Sequence, residues 1–340
     1  MKNIAVVILN WNGEDLLQKF LPNVIANSQG ARIIVADNAS TDNSIELIQQ
    51  NFPSVEIIKN EVNGGFAKGY NDALKQIDSP FYVLLNSDVE VTENWLTPLA
   101  NAMENPETAG CQPKILSYNQ RDHFEHAGAS GGFIDKNYFP FCRGRIMDSF
   151  EEDKGQYDGE IDVFWATGAC LMIRSEVFHK ANGFDEDFFA HMEEIDLCWR
   201  IKKWGYNFKA IPNSTVYHIG GGTLPYSSPK KVYYNFRNNL VMLLKNHEGY
   251  WAPKLYYRML LDASAAILFL LKGQFKSFAA VFNAHMYIHA NTRSTLKKRK
   301  EIKKGTTNYN STGFYRGNIL WAYFFKGIKE YEKLNQRFFD

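Results

Sequence analysis

The first ninety residues alternate short apolar runs with stretches in which apolar residues recur every three or four positions. The runs have the length of buried strands, and the stretches between them have the period of helices that bury one face. Strands are predicted at 4–9, 33–36, 55–58 and 81–85, and helices at 14–25, 43–51 and 69–77. This alternation favours an α/β fold whose mostly parallel central sheet carries helices on both faces.

The rest of the chain changes character twice. Residues 101–162 lack a clear period, which predicts loops, short strands and a mobile segment. An apolar strand and core follow at 163–173, and from about residue 228 the pattern is helical. In this second half, helices are predicted at 175–180, 195–204, 231–246, 255–271 and 275–289.

Charge and cysteine usage narrow the class of protein. The 340 residues include 38 basic and 37 acidic side chains, and a net charge of +1 argues against a globally basic nucleic-acid binder. The four cysteines form no CxxC pair, which excludes a zinc knuckle and favours reduced thiols in a cytosolic protein.

Two apolar segments bear on membrane targeting. Six apolar residues near the start are too few for a signal peptide. A spanning helix needs about 20 apolar residues, and the longest charge-free run of the apolar C-terminal region is only 263–271. We therefore expect no transmembrane segment.

Polar side chains follow the first, second and fourth predicted strands, and ligands of such sheets bind beyond the carboxyl ends of the strands. Asn10 and Asn12 come after the first strand and Asp37 after the second. Asp37 can accept hydrogen bonds from a base or a ribose, while Ser40 and Asp42 are suited to cap the next helix. Neither GxGxxG after the first strand nor GxxxxGK[ST] occurs, which excludes the phosphate loops of dinucleotide and P-loop sites.

A possible metal site follows the fourth strand. Asn86, Ser87 and Asp88 place a carboxylate there that suits Mg²⁺ or Mn²⁺, although the same triplet is typical of a plain turn. His218 ends an apolar strand just before a run of three glycines. A neutral imidazole at this position could complete the coordination of such an ion together with Asp88.

A glycine-rich stretch at 63–71 precedes the third predicted helix. Glycines permit close approach of the backbone to a ligand and supply positive φ angles. Asn63 and Gly65 are therefore candidate ligand contacts. A loop and helix start without a ligand would explain the stretch equally well.

Three carboxylates, Glu193, Glu194 and Asp196, lie within four positions at the start of a predicted helix. The helix dipole favours negative charge there, which is sufficient to explain them. They are also candidates for a general base, since one can face a cleft while another pairs, as Asp196 would with Arg200 at i,i+4 spacing. Crowding of like charges would raise one pKa toward a useful range.

Together these motifs resemble those of family 2 glycosyltransferases with the GT-A fold, and most closely those of the rhamnosyltransferase-like bacterial branch. They occur in the family's order and cover about residues 4–245, so the ordered set is specific although each motif alone is weak. The matching stretches are VVILNWNG at 6–13, DNASTD at 37–42, NGGFAKGYN at 63–71, LLNSDV at 84–89, TGACLMIRSEVF at 167–178, GFDEDFFAHMEEIDLCWR at 183–200, HIGGGT at 218–223 and YNFRN at 234–238.

The resemblance implies a donor pocket for a nucleotide-diphosphate sugar. Asp37 would contact the base or ribose, with Asn10 and Asn12 at the same end of the pocket. Gly168, with the residue on either side of it, would line the donor-sugar and acceptor side. The choice between a UDP-sugar and a dTDP-sugar stays open, because Asp37 could serve either base.

The resemblance also implies a divalent cation, Mn²⁺ or Mg²⁺, as the cofactor. Asp88 matches the last aspartate of the family's DxD motif, which holds the metal on the donor diphosphate. His218 matches the downstream metal-binding histidine. The first DxD position is Asn86 in this chain, so metal binding would rest on Asp88 and His218.

The implied reaction is inverting transfer of a sugar. Glu194 matches the aspartate of the family's Glu-Asp base motif and would take a proton from an acceptor hydroxyl. Its side chain is one methylene longer than that aspartate, which leaves Glu193 and Asp196 as alternative bases. The acceptor oxygen would then attack the anomeric carbon in line with the leaving diphosphate, without an enzymic nucleophile.

The implied organisation is a catalytic domain over 1–228, with a nucleotide-binding half of about 1–100 and an acceptor half of about 101–228. A helical extension over 229–340 would follow. Its apolar helices and the basic run at 297–304 could bind the inner face of an anionic membrane, where a lipid-linked acceptor would lie. A helical cap packed on the catalytic domain or on a second subunit is an equal alternative.

Two other functions compete with a cytoplasmic transferase of surface polysaccharide synthesis. A nucleotidyltransferase that makes the activated sugar is disfavoured, because no glycine-rich loop bearing Lys or Arg follows the first strand. A non-catalytic nucleotide-sugar-binding scaffold is disfavoured by the intact acidic trio, which a retired site would not need.

Overall fold

The computed structural model describes residues 3–220 and 228–340 of the chain, which form one large and one small β-sheet with helices around them. The strands are β1 (Ile4–Asn10), β2 (Arg32–Asp37), β3 (Glu56–Lys59), β4 (Phe81–Asn86), β5 (Val89–Val91), β6 (Thr108–Ser117), β7 (Gly132–Asp135), β8 (Pro140–Cys142), β9 (Arg145–Ile146), β10 (Ser149–Phe150), β11 (Ile161–Val163), β12 (Cys170–Arg174), β13 (Asn207–His218) and β14 (Phe314–Tyr315). The helices are α1 (Glu14–Asn27), α2 (Ser44–Asn51), α3 (Gly65–Leu74), α4 (Leu96–Ala102), α5 (Ser175–Lys180), α6 (Glu193–Lys202), α7 (Pro229–Asn246), α8 (Trp251–Leu271), α9 (Phe275–Gly305) and α10 (Ile319–Phe324).

The large sheet has the strand order β11-β13-β6-β12-β4-β1-β2-β3, and β5 pairs with β13. The β3, β2, β1 and β4 strands are parallel, as predicted. Beyond β4 the pairing is mixed, since β12 runs antiparallel between β4 and β6. The register sets Asn10 beside Asp37, and Leu9 beside Asn86, so the polar residues after three strands meet at one edge.

Alternate residues of β1 face two separate cores, as the period of a buried strand requires. Ala5 and Val7 join the core that includes α3 and α6. Ile4, Val6 and Ile8 join the core that includes α1, α2 and α4. Helices therefore cover both faces of the sheet, which confirms the predicted layers.

The middle of the chain is more regular than its sequence pattern indicates. Residues 108–117 form a ten-residue strand, β6, between β12 and β13. The small sheet, in the order β10-β9-β8-β7-β14, takes up much of the remaining segment. The prediction of loops and short strands over 101–162 was therefore wrong for β6.

The C-terminal region is not only helical. After α9 the chain returns to the small sheet, where β14 pairs in parallel with β7. Phe339 and Tyr331 pack their rings against Phe133 of β7, at centroid distances of 5.4 and 5.0 Å. A domain boundary near residue 228 stays a prediction. In the part of the chain that the structure describes, no helix has the length and hydropathy needed to cross a membrane.

The basic run at 297–304 forms the end of α9, which is longer than predicted, and part of the run is engaged within the protein. The Lys298 ammonium lies 2.6 Å from Asp185 and 2.7 Å from Asp187. Arg299 is buried and donates to the carbonyl oxygens of Leu244 and Gly249. The run is thus not a uniformly free cationic patch.

Candidate active site

The loops after β1 and β2 are joined by hydrogen bonds around Asp37. The Asn10 amide donates to Asp37 over 3.1 Å, and the backbone N–H of Ser40 donates to the other oxygen of the same carboxylate over 3.0 Å. Asn12 lies on the exposed rim, where its side-chain oxygen accepts from the N–H of Thr41. The three predicted nucleotide contacts, Asn10, Asn12 and Asp37, therefore lie at one place.

A second set of amide side chains holds the glycine-rich loop. Asn63 accepts from the backbone N–H of Gly65 and from the side chain of Asn38, each over 2.9 Å. Asn60 donates in turn to Asn38 over 3.1 Å. Gly65 has φ +77°, and a Cβ on it would lie 2.6 Å from Phe189, so only glycine fits there. The sequence indicated Asn63 and Gly65 but gave no signal for Asn38 and Asn60.

The predicted metal residues are neighbours. Nε2 of His218 lies 3.0 Å from the Asp88 carboxylate and 3.4 Å from the Asn86 amide. Its Nδ1 lies 3.0 Å from Glu125, a buried carboxylate that the sequence analysis missed. Glu125 lies in the irregular middle segment, 93 residues before its partner, and no periodicity marks it. The predicted HIGGGT motif continues at 221–223, outside the described residues.

The pKa values of His218 and Glu125 each depend on the charge of the other side chain. Burial alone would lower the pKa of His218, but the hydrogen bonds and negative charges of Asp88 and Glu125 outweigh it and raise that pKa to about 10. Burial would likewise raise the pKa of Glu125, but the His218 imidazolium holds it at about 2. Asp88, His218 and Glu125 thus form an acid–imidazolium–acid arrangement, in which Glu125 also accepts from the backbone N–H of Ala127.

The donor set of this cluster fits a divalent cation. Asp88 offers a carboxylate oxygen and His218 an imidazole nitrogen 3.0 Å away, which are ligand types that Mn²⁺ accepts. Glu125 orients the imidazole through its other nitrogen, as a carboxylate commonly does behind a metal-bound histidine. Among the described residues no group of three or more acidic, histidine or cysteine side chains is placed to hold a metal by itself.

The loop before β12 lies between the metal residues and the base candidates. The Asn86 backbone N–H donates to the Ala169 carbonyl over 3.0 Å. A Cβ on Gly168 would lie 3.1 Å from the ring of Phe66 and 3.9 Å from Cβ of Glu194. Gly168 thus separates the Asn86–Asp88 turn from the start of α6, and Ser87 lies in that turn, facing the loop after β1.

Glu194 and Glu193 open α6, and each has one carboxylate oxygen that is buried without a hydrogen-bond partner. Burial raises the pKa of Glu194 to about 7, although nearby backbone N–H groups, among them that of Gly168, act in the opposite direction. Burial and the charge of Glu194 hold the pKa of Glu193 well above its usual range. An acidic pair with unused oxygens and raised pKa values can accept a proton near neutral pH.

Asp196 differs from the two glutamates. One of its oxygens accepts from Arg200 over 2.8 Å and from Lys245 over 2.9 Å, and the other accepts from Asn246 over 2.8 Å. The predicted pairing with Arg200 is confirmed. Because the side chain is fully buried and both oxygens are engaged by other side chains, Asp196 is not free to act as a base.

The segment before the glutamates has an unusual backbone. Phe189, His191 and Met192 have φ angles of 62°, 70° and 71°, which non-glycine residues rarely adopt. The Asn238 side chain on α7 donates to this segment, with its nitrogen 2.8 Å from the Ala190 carbonyl and 2.7 Å from that of His191. Strained backbone of this kind persists only where surrounding contacts fix it, and it is common at active sites.

The same segment is also held from the opposite side. The Phe189 carbonyl accepts from the backbone N–H groups of Phe66 and Ala67 at the start of α3, over 2.7 and 3.3 Å. This contact explains why α3 begins at Gly65, four residues before the predicted start. Hydrogen bonds to Phe189 therefore connect the glycine-rich loop to the strained segment. That segment leads directly into Glu193 and Glu194.

Comparison with known proteins identifies the chain. The family model described as Glycosyl transferase family 2 matches residues 5–180, just over half of the sequence. The chain belongs to glycosyl transferase family 2. The predicted family, enzyme class and GT-A fold are thereby confirmed.

Individual relatives of this glycosyltransferase are distant. The N-acetylglucosaminyl-diphospho-decaprenol L-rhamnosyltransferase of Mycobacterium tuberculosis is 20% identical over 318 residues, covering 89% of this chain and 98% of that protein. The dTDP-rhamnosyl transferase RfbF of Shigella flexneri is 24% identical over 265 residues, covering 72% and 81%. The crystal structure of GalNAc-T7 with UDP, GalNAc and Mn²⁺ is similar with a TM-score of 0.56 at 15% identity, covering 85% of this chain and 57% of that one. At 15% identity, the similarity to GalNAc-T7 shows a shared fold and nothing more.

Proposed function

We propose that this glycosyltransferase is an inverting enzyme that moves a sugar from a UDP- or dTDP-sugar to a hydroxyl of a saccharide or lipid-linked saccharide. The proposal rests on one connection: Glu194, which has a buried carboxylate oxygen without a hydrogen-bond partner, lies beside Gly168, and the next residue, Ala169, accepts from the backbone N–H of Asn86 in the turn that holds Asp88. In a single-displacement transfer, Glu194 would be the base and the Asp88 turn would hold the leaving diphosphate.

In the proposed reaction, Glu194 accepts the proton of the acceptor hydroxyl. The acceptor oxygen forms a bond to the anomeric carbon while the bond from that carbon to the diphosphate oxygen breaks. The bonding electron pair leaves with the nucleoside diphosphate. Glu193 is the alternative base, although burial beside Glu194 raises its pKa and it would accept the proton only when it is itself ionised.

Asp88 and His218 would hold a divalent cation, Mn²⁺ or Mg²⁺, with Glu125 fixing the imidazole. A cation there would offset the negative charge that develops on the departing diphosphate. Asn86, at the first position of the motif, offers an amide in place of a carboxylate. Asp37, Asn10 and Asn12 would bind the nucleoside, and Asn63 and Gly65 would bring backbone close to the donor.

The names of two relatives guide our proposal for the donor, the acceptor and the pathway. The name of the Shigella flexneri relative specifies a dTDP-rhamnosyl donor, and that of the Mycobacterium tuberculosis relative specifies an L-rhamnosyl group and a diphospho-decaprenol acceptor. We therefore take dTDP-rhamnose as the first donor to test and a polyprenyl-diphosphate saccharide as the first acceptor. The product would be a precursor of a surface polysaccharide.

Calorimetric titration with UDP, dTDP and GDP, each with and without Mn²⁺, tests the donor site. The expected result is binding of dTDP or UDP that weakens at least roughly tenfold without the metal. Asp88→Asn should abolish the metal dependence, whereas the matched exposed variant Asp122→Asn should not. If a folded protein binds none of the three nucleotides, the transferase proposal fails and an unrelated ligand must be sought.

A non-catalytic scaffold that binds the nucleotide sugar would pass the titration, so turnover must be measured separately. Release of dTDP from dTDP-rhamnose, with water or a saccharide as acceptor, distinguishes the two functions. Binding without any release over hours would favour the scaffold.

A further inference from the structure

The outward face of α8 is mainly apolar. From residue 253 to 271 every exposed side chain is uncharged, and apart from Ser264 these side chains are apolar or aromatic. Leu260 and Leu271 are 68% and 78% exposed, and Ile267 and Leu268 lie between them on the same face. Tyr256 and Tyr257 extend this face toward the start of the helix. An exposed apolar face that extends along much of a 21-residue helix is uncommon on a free protein surface and marks a site of association.

The charged residues of α8 point the other way. Arg258 and Asp262 are 3% and 1% exposed, and they form an ion pair of 2.9 Å inside the protein. Arg258 also donates to the carbonyls of Asn137 and Tyr138, each over 3.2 Å. The helix therefore differs from an ordinary surface helix, because it buries an ion pair along with Leu255 and Met259 while four other leucines are exposed.

The start of α9 continues the apolar surface. Phe275, Phe282 and Met286 are exposed and recur at i, i+7 and i+11, which places them on one side of the helix. Residues 272–274 join the two helices, which pack against each other. We call these exposed apolar residues of α8 and of the start of α9 the apolar hairpin face.

The exposed charges that α8 and α9 contribute up to residue 300 are all positive. Between residues 249 and 300 the only acidic residue is Asp262, which is buried. Lys272 and Lys276 are exposed at the turn between the helices, and Lys297 and Lys300 are exposed farther along α9. Exposed apolar side chains with lysines on the same two helices match the interface of a bilayer that contains anionic lipid.

A second copy of the chain is a poorer match. A twofold dimer through this face would bring the exposed lysines of both copies together without an acidic partner. The basic run at 297–304 alone is also a poorer candidate, since Lys298 and Arg299 are engaged internally. It begins about 33 Å along α9 from Phe275, at 1.5 Å per residue.

We propose that the apolar hairpin face docks this protein on the surface of an anionic lipid bilayer, lying in the interface without crossing it. Leucine and phenylalanine side chains enter the acyl boundary, the tyrosines lie at headgroup depth, and Lys272 and Lys276 contact anionic headgroups. The inference does not depend on the proposed chemistry. It places the contact on the α8–α9 turn and not on the basic run.

Flotation of the full chain with lipid vesicles tests this proposal. The vesicles are phosphatidylcholine alone or with about 30% phosphatidylglycerol. We expect binding to the anionic vesicles, and a fall of at least roughly tenfold in the partition coefficient for Leu260→Glu/Leu271→Glu. The control Phe150→Glu adds one glutamate at an exposed apolar position of the small sheet and should bind like the parent.

Three outcomes would overturn the proposal. One is no binding to either vesicle. A second is a loss of binding in Lys297→Glu/Lys300→Glu but not in the leucine variant. A third is a dimer, detected by light scattering, that Leu271→Glu dissociates while no vesicle is bound.

Release of dTDP from the donor in lipid-free solution separates this proposal from the proposed function. We expect the leucine variant to keep the parent rate. Flotation without nucleotide binding or turnover would leave the lipid contact standing and remove the transferase proposal. Turnover without flotation would leave the transferase proposal standing and remove the lipid contact.

Discussion

Glu194 combines a raised pKa with an oxygen that no other group in the described structure engages. A carboxylate buried in this way is a stronger base than one in water, because desolvation disfavours its charged form. The charge of Glu194, together with burial, raises the pKa of Glu193, since two adjacent glutamates are costly to ionise together. At acidic pH this environment leaves little of Glu194 ionised, so the rate of transfer should depend on pH.

We predict that kcat/KM for sugar transfer depends on the ionisation of Glu194. The base works only when deprotonated, and its pKa is about 7. The rate should therefore fall about tenfold for each pH unit below that value and level off above it. Initial rates between about pH 5.5 and 8.5 at saturating metal measure this profile. A flat profile over that range would contradict the assignment.

At the scale of elements, the strained segment before α6 depends on a helix from the C-terminal region. Asn238 on α7 donates to the carbonyls of Ala190 and His191. Arg237 donates to the carbonyls of Asp187 and Phe188 over 2.7 and 2.9 Å. These contacts fix the backbone whose next residues are the two glutamates. Asn238 is thus a positioning residue, since it acts on the base through the backbone.

We predict that Asn238→Ala lowers kcat by roughly ten- to a hundredfold, because a small displacement of the base is costly to the reaction. The dissociation constant of the nucleotide should stay within about threefold of the parent value. Asn239→Ala is the matched control, since Asn239 donates to Tyr138 and not to the strained segment. Equal losses of kcat in the two variants would indicate general destabilisation and would contradict the positioning role.

The sequence predicted the elements whose partners are near in the chain. The β1 to β4 strands and the helices between them follow their apolar periods, and α5 was predicted with its observed bounds. The β6 strand was missed because it buries polar residues. Gln112 donates to the Gly128 carbonyl and Lys114 pairs with Asp153, and neither partner is visible in a local pattern.

The same limit applies to the site. The sequence indicated Asp88 and His218 separately, and the structure places them 3.0 Å apart. Glu125 has no motif around it, and its importance follows only from contact with His218. Asp196 was an alternative to Glu194 as the base, yet its long-range partners Lys245 and Asn246 engage its oxygens.

At the scale of the whole molecule, a buried network of charges connects the central sheet's helices to the C-terminal helices. Asp196 on α6 pairs with Lys245 on α7 over 2.9 Å, and Lys245 also pairs with Asp185. Asp185 in turn pairs with Lys298 on α9 over 2.6 Å. The positive charge of Lys245 and Lys298 outweighs burial and holds the pKa of Asp185 well below its usual range. The network explains how α7 and α9 are held beside the candidate active site.

We predict that Asp196→Ala destabilises the protein by about 3–5 kcal/mol, because it leaves buried cations without their partner. The control Asp72→Ala removes a partly exposed partner of Lys68 and Lys75 and should cost less than about 1 kcal/mol. Urea unfolding followed by circular dichroism gives both free energies. A cost for Asp196→Ala no larger than that of the control would contradict the structural role of this network.

Turnover by Glu194→Gln, measured as release of dTDP or UDP from its sugar in the presence of Mn²⁺, tests the role of Glu194 most directly. We predict a loss of roughly 10²–10⁴-fold in rate, the usual contribution of a general base, with nucleotide affinity unchanged. Glu176→Gln makes the same substitution at an exposed position of α5 and should keep the parent rate. If Glu194→Gln keeps more than about a tenth of the parent rate, Glu194 is not the base.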